Sequence, residues 1–389
     1  MRLRDDMTVK KIGDEFYLVP FAGAQADRVR SVRLNAAGAF IAKQLAFEIT
    51  DRALYETVAV NTGKRTSEVE SDTDEFLAEL DQRGLLEDDD SDFEVPLDAE
   101  FFDIAGIKMY VSGSVKAVNT YLSDKLYAFE CAPFDDEEAD HEVMITRGDP
   151  PEDGSLVFMT EEFILSENMS EYIFYYNGFK RVGASVVSKD FSHSVFFLKD
   201  RRKPDDELRE ELFTVMRTAF LLAALKDRKV AIHCAALQDK SGTFLLSGPS
   251  GMGKTTLATL ITEAYKGVCI KNGDLALVGT EDGRPYFYGI PWCGTSETYS
   301  NTTAPVDMAA FLHQAQENRS VGLGYGQAQV SFFNRLITPS WTEEMLDAKL
   351  YCAGVISGKI KSYDYYFKNE RKAAEVFYER RIADHTSVQ

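Results

Sequence analysis

The sequence predicts a mixed α+β, α/β chain in two parts. A small winged-helix-like unit of order βββααα comes first, and a β-rich segment leading into a nucleotide-binding core follows. Three observations carry this. A phosphate-loop pattern stands between a strand and a helix at residues 248–255. Short strand signals and then three helical segments fill residues 1–86. The acidic stretch Glu87-Asp88-Asp89-Asp90-Ser91-Asp92 opens a linker over 87–100.

In the first unit, residues 8–12 and 16–20 read as strands around Gly13-Asp14, a hairpin signal. Residues 29–34 give a third strand. Asn35 caps a helix over 36–46, Thr50 or Asp51 caps a second through residue 60, and 72–83 forms a third that Gly84 stops. Beyond the linker, residues 101–204 are rich in aromatic and β-branched residues. Strands are predicted at 107–111, 172–176, 184–187 and 194–198. Residues 205–225 form an amphipathic helix, with Leu208, Leu212, Val215, Met216 and Ala219 near helical spacing. The aromatics of this part read as core.

The nucleotide core spans 205–389. Gly248-Pro249-Ser250-Gly251-Met252-Gly253-Lys254-Thr255 fits GxxxxGK[ST]. Its glycines let backbone N–H groups close around a polyphosphate. Lys254 reaches the β- and γ-phosphates, and the Thr255 hydroxyl suits Mg²⁺. Residues 243–246 are a buried-strand run before the loop. Thr256 continues an apolar helix whose N-terminus faces the phosphates. Residues 230–237 read as a strand, 238–242 as a turn, so a hairpin leads directly into the loop. Asp274 falls between two strands and not at the end of one long apolar strand. With Thr255 it forms the expected Mg²⁺ set, although an acid after Asn272-Gly273 also suits a plain turn. His233 lies in the apolar strand before the loop and is either a core histidine or a catalytic group brought near by the hairpin. Glu297 is a possible second metal or substrate contact, or an exposed loop acid. Arg319 and Arg335 are possible phosphate-stabilising cations by chemistry alone.

The His233 strand, the hairpin, the loop and Asp274 resemble the HPr kinase family and its relative, ATP-type phosphoenolpyruvate carboxykinase. Gly289-Ile290-Pro291-Trp292-Cys293-Gly294 and Asn301-Thr302-Thr303-Ala304-Pro305 look like bacterial kinase-like proteins loosely named carboxykinases. The resemblance covers roughly 100–380 and implies an ATP- and Mg²⁺-dependent kinase, with His233, Lys254 and Asp274 as the catalytic set. The family usually carries two adjacent acids, the first a proposed proton acceptor. Here the first position is Gly273. The first unit resembles PqqD-like peptide-recognition modules, through Phe16-Tyr17-Leu18-Val19-Pro20, Leu34-Asn35-Ala36-Ala37-Gly38-Ala39 and Phe76-Leu77-Ala78-Glu79-Leu80. That resemblance implies a leader peptide adding as a strand beside Val29, Ser31 and Arg33, with Phe76, Leu80 and Arg83 opposite. Phe76 and Leu80 also suit a plain core, and Arg30 and Arg33 also suit charges guarding a sheet edge.

Together these resemblances imply a kinase for a hydroxyl side chain of a ribosomally made precursor peptide. A small-molecule kinase, for instance for free serine, and a catalytically incomplete nucleotide-dependent peptide-binding module remain open. The formal net charge of −20 argues against nonspecific nucleic-acid binding. Five scattered Cys without a CxxC pair suggest a reducing compartment. No apolar run approaches a membrane span and no signal peptide is visible, so a cytoplasmic location is expected, with homo-oligomerisation open.

Overall fold

The computed structural model describes residues 2–4, 7–20, 31–46, 49, 51–87, 99–113, 122, 125–135, 138–151, 154–199 and 205–386. Val29, Arg30 and linker residues 88–98 lie outside the described residues. The chain is a mixed α+β protein with several sheets. Among the described residues no helix is long and apolar enough to cross a membrane.

The first unit opens on β1 (Arg2–Leu3). The antiparallel sheet β2 (Met7–Ile12), β3 (Glu15–Pro20) and β4 (Val32–Leu34) follows in that spatial order, so β4 is an edge. Helices α1 (Ala36–Gln44), α2 (Asp51–Thr62) and α3 (Thr66–Gln82) come next, and β5 (Leu86–Glu87) returns to pair with β1. Asn35 caps α1, its Oδ1 accepting the Gly38 N–H at 2.7 Å. Helix α3 starts at Thr66 rather than at residue 72, because the Glu68 carboxylate accepts the Arg65 N–H at 3.0 Å and closes an earlier first turn. That turn is polar and carries no apolar period, so pattern reading missed it. Leu18, Leu34, Leu45, Leu54, Leu77 and Leu80 form the core of this unit.

The β-rich part is an eight-stranded sheet. Its strands are β6 (Glu100–Ile104), β7 (Ile107–Gly113), β8 (His141–Arg147), β9 (Ser155–Met159), β10 (Phe163–Glu167), β11 (Glu171–Tyr176), β12 (Val182–Ser188) and β13 (His193–Leu198), in the order β6-β7-β8-β13-β12-β11-β10-β9. Strand β8 pairs in parallel with both β7 and β13. The sequence reading found β7 and β11–β13 but not β6 or β8–β10. In β8 a histidine hides the alternation. His141 is fully buried, its ring nitrogens 2.8 Å from the Phe191 carbonyl and 2.8 Å from Ser194 Oγ. Burial pulls its pKa down to about 4, so the ring packs as a neutral group.

Helix α4 (Asp206–Lys226) starts where the Asp205 carboxylate accepts the Leu208 N–H at 2.9 Å. It packs between this sheet and the loop-bearing sheet, so its apolar surface is wider than a single stripe. Buried Glu211 fastens it: the carboxylate accepts the N–H groups of Lys180, Arg181 and Val182 at 2.7, 2.9 and 2.8 Å.

The last part consists of β14 (Val230–Asp239), β15 (Gly242–Ser247), α5 (Lys254–Ala264), β16 (Cys269–Asn272), β17 (Leu275–Glu281), β18 (Arg284–Tyr288), β19 (Thr303–Gln314), β20 (Arg319–Gly322), α6 (Tyr325–Phe333), α7 (Glu343–Ser357), β21 (Lys361–Phe367) and α8 (Arg371–Thr386). Strand order is β15-β14-β17-β18-β19-β21-β20, with β15 also parallel to β19 and β16 paired to β14. Strand β14 pairs with β17 through residues 230–233 and with β15 through 234–239. Helices α5 and α8 cover one face through Leu257, Ile261, Ala373 and Phe377. Helices α6 and α7 join the core built from Ile232, Leu245 and Phe311.

Candidate phosphate-binding site

The hairpin of β14 and β15 turns at Lys240-Ser241 and delivers the chain into the loop after Ser247. Ser247 Oγ donates to the His233 carbonyl at 2.8 Å, tying the two strands at the loop entrance. Gly248 is buried, Ser250 and Gly251 are exposed, and Met252 packs partly into the core beneath. Gly253 has φ of 98°, a conformation costly for any side chain, and a Cβ there would sit 3.0 Å from Phe367 Cζ. Glycine at 253 therefore answers both the backbone and the ring packed against the loop. Gln314 Nε2 donates to the Gly251 carbonyl at 3.3 Å from the end of β19.

Helix α5 begins at Lys254 with no side-chain cap, leaving its first N–H groups open to an anion. Thr255 and Thr256 are exposed in that first turn. Lys254 is only 8% exposed, and its Nζ donates to the Gly248 carbonyl at 3.1 Å across the loop. Burial lowers its pKa, with the Asp274 charge opposing that shift.

Asp274 lies in the Gly273-Asp274 link between β16 and β17. The fully buried Asn272 builds this turn. Its Oδ1 accepts the N–H groups of Asp274 and Leu275 at 3.0 and 2.9 Å, and its Nδ2 donates to the carbonyls of Ile290 and Trp292 at 3.2 and 3.1 Å. His233 Nε2 lies 3.1 Å from Asp274 Oδ1. That hydrogen bond, ahead of the charges of His233, Lys254 and Arg217, holds the Asp274 carboxyl below the usual range. The structure thus brings His233, Lys254 and Asp274 to one place. The His233 N–H donates to the Arg335 carbonyl at 3.0 Å, and the Arg335 charge acts on Lys254, so Arg335 also borders the site.

Gly273 has a steric reason. A Cβ at 273 would fall 2.3 Å from both Cβ and Oγ of Ser296, whose hydroxyl donates to the Cys293 carbonyl at 2.6 Å. The backbone pins the segment there as well, with the Gly273 N–H donating to the Thr298 carbonyl at 3.2 Å. The space beside residue 273 is filled by the 293–298 turn. Gly273→Asp is therefore expected to displace that turn and lower activity, not restore a missing base. Thermal unfolding and turnover check this; a more active Gly273→Asp protein would contradict it.

Glu297 belongs to the 293–298 turn that packs over Gly273. Glu297 is exposed, with φ of 51°. Arg319 stacks on Tyr366, its guanidinium carbon 4.1 Å from the ring centre. In the first unit Ser31 is exposed, Arg33 pairs with Glu15, and Arg83 bonds Glu79 at 2.7 Å. Leu80 is 1% exposed and belongs to the core, while Phe76 packs against Gly38 of α1. Asn272-Gly273 marked the turn in the sequence but not the part the Asn272 side chain plays in it; Ser296 and Gln314 act through contacts distant in sequence and were missed. Among the described residues no three His, Cys, Asp or Glu side chains converge as a metal cluster.

No family model matches the chain. No curated protein matches it either. Among solved structures, the Hpr(Ser) kinase/phosphatase from Coxiella burnetii is a weak neighbour. It is 10% identical, with a TM-score of 0.24, over 40% of this chain and 98% of that one.

Proposed function

We propose that the chain is an ATP-dependent kinase that phosphorylates a serine or threonine hydroxyl of a ribosomally made precursor peptide. The carrying observation is the meeting of the loop's buried Lys254 with the His233–Asp274 pair. The loop fits a nucleoside triphosphate. It offers an uncapped helix start, a glycine conformation at Gly253, and a lysine whose Nζ bonds, among the described residues, a loop carbonyl. Thr255 and Asp274 would hold Mg²⁺, which when bound neutralises charge on the phosphates. Two protein oxygens suffice, because Mg²⁺ keeps several waters and takes phosphate oxygens as ligands.

In the transfer, the acceptor oxygen forms a bond to the terminal phosphorus. The bond to the bridging oxygen breaks, and its electron pair stays on the nucleoside diphosphate. The acceptor proton passes to the His233–Asp274 pair. Loose phosphoryl-transfer transition states ask little of a base, so one acid can serve where relatives carry two.

The β4 edge supports the peptide part of the reading. A leader strand would add beside Ser31 and Arg33. The buried Leu80 would act from behind by supporting that surface. Docking would raise the local concentration of the peptide core at the loop. The test is mass spectrometry of precursor peptide incubated with the full chain, ATP and Mg²⁺. A phosphate added to the peptide supports the proposal. ATP-dependent modification of free serine alone would favour the small-molecule kinase. Nucleotide-dependent peptide affinity without transfer would favour a binding module.

A pH expectation follows from Asp274. Its hydrogen bond from His233 favours the carboxylate, so the acid limb of the pH–rate profile should lie below the ordinary Asp range of about 4. His233→Ala removes that bond and leaves burial pushing the pKa up. The acid limb should then move to higher pH. An unmoved limb would separate His233 from the chemistry of Asp274.

A further inference from the structure

Phe213, Arg217 and Phe220 share one face of α4 at helical spacing. The two phenylalanines lie against Trp292, with ring centres 5.4 and 5.0 Å away. The Trp292 indole N–H donates to the Phe213 carbonyl at 2.9 Å. The Trp292 carbonyl accepts the Asn272 amide at 3.1 Å, and Asn272 builds the turn that carries Asp274. This short chain of contacts ties the helix face bearing Arg217 to the turn that carries Asp274.

Arg217 is half-buried. The carboxylates whose charges reach it are Asp274 and Glu162 of the β9–β10 turn, and burial outweighs them, pulling its pKa down. Among the described residues it closes no ion pair and makes no hydrogen bond. Arg381, also buried, is by contrast fully matched by two carboxylates. A half-buried guanidinium without a bonded partner carries a desolvation cost that an anion would relieve.

We infer that Arg217 is a phosphate-contacting residue, its guanidinium binding the terminal phosphoryl group presented by loop 248–255. This rests on the kinase reading of that loop and deepens it. Lys254 acts on the phosphates as a point charge, whereas the arginine fork matches two phosphoryl oxygens at once. Charge spreads over the three equatorial oxygens during transfer, so the contact strengthens as the bond to the diphosphate breaks. Nothing local to Arg217 announces this role, because it sits on a helix between the sheets, outside every motif.

The test measures affinity of the full chain for Mg·ADP, with and without aluminium fluoride as a stand-in for the transferring phosphoryl group. Arg217→Met, which keeps the apolar stem, should bind Mg·ADP within about twofold of the parent protein. It should lose about 100-fold in affinity for the aluminium fluoride complex, the loss typical of one transition-state donor. Arg217→Lys, which keeps the charge without the fork, should fall between. An Arg217→Met protein that binds both probes like the parent, or weakens equally for both, overturns the inference. A parent protein that binds neither probe overturns the kinase reading and this inference with it. Binding of Mg·ADP by the parent but not by Lys254→Ala, with Arg217→Met unaffected toward aluminium fluoride, overturns the inference alone.

Discussion

Replacing Lys254 with methionine is expected to abolish phosphoryl transfer while leaving the protein at least as stable as its parent. The two effects have one cause. The Lys254 ammonium is held in a site where burial penalises its charge, its Nζ bonded to one loop carbonyl at 3.1 Å. A lysine whose folded pKa lies below its unfolded value costs stability while it is protonated, a cost relieved only as pH rises through both values. Methionine keeps the stem and removes that cost. It also removes the cation proposed to meet the β- and γ-phosphates, and loss of such a group typically costs at least about 10²–10³-fold in rate. Thermal unfolding and turnover measured together check this. A methionine variant that unfolds earlier and keeps its turnover would mark Lys254 as a structural residue.

Removal of Arg381 should have the largest effect on stability. Its side chain is 1% exposed and reaches back from α8 to the β14–β15 hairpin. Nε and one terminal nitrogen donate to Asp239 at 2.7 and 2.9 Å, and the other terminal nitrogen donates to Asp307 at 2.7 Å. A further bond reaches the Gly242 carbonyl at 3.2 Å, and the guanidinium lies 4.3 Å from the Phe244 ring centre. Arg381→Leu removes the countercharge of a carboxylate that is 6% exposed, so the expected loss is about 3–5 kcal/mol. The unfolding transition of this part should fall by on the order of 10 °C. The site should suffer indirectly, since the same hairpin carries His233 and leads into the loop. Burial pushes Asp239 up, but the bonds and charge of Arg381 outweigh it and hold the carboxyl below its usual range. The stability that this pair adds is therefore complete above the ordinary Asp value of about 4. It is lost as pH falls through the lower folded value. An Arg381→Leu protein with unchanged unfolding would contradict the account.

The phosphate loop was legible because its residues are consecutive and each answers a local demand. Gly253 must adopt a positive φ, and Lys254 must open a helix. The hairpin before it was legible too, since β14 and β15 are continuous apolar runs around a short polar turn. Legibility ended where a residue acts through a distant partner. Asn272 organises the Asp274 turn through carbonyls of Ile290 and Trp292, and nothing in its own neighbourhood announces them. The glycine at 273 looked like a missing acid, while its cause is Ser296 packed over it. Strands such as β8 and β10 carry buried polar residues, His141 and Ser166, which break the apolar pattern that marks a strand. The early turn of α3 was hidden for a related reason, being held by a backbone–carboxylate bond and not by apolar spacing.

Loop 248–255 and the His233–Asp274 pair are proposed to transfer a phosphoryl group together. The most direct measurement follows the terminal phosphate of isotope-labelled ATP by mass spectrometry, with Mg²⁺ and precursor peptide, in the parent protein and in Asp274→Asn. The parent should form one labelled phosphate monoester on the peptide for each ADP, and Asp274→Asn none at any pH. Label appearing on the peptide at equal rates with both proteins would contradict the proposal.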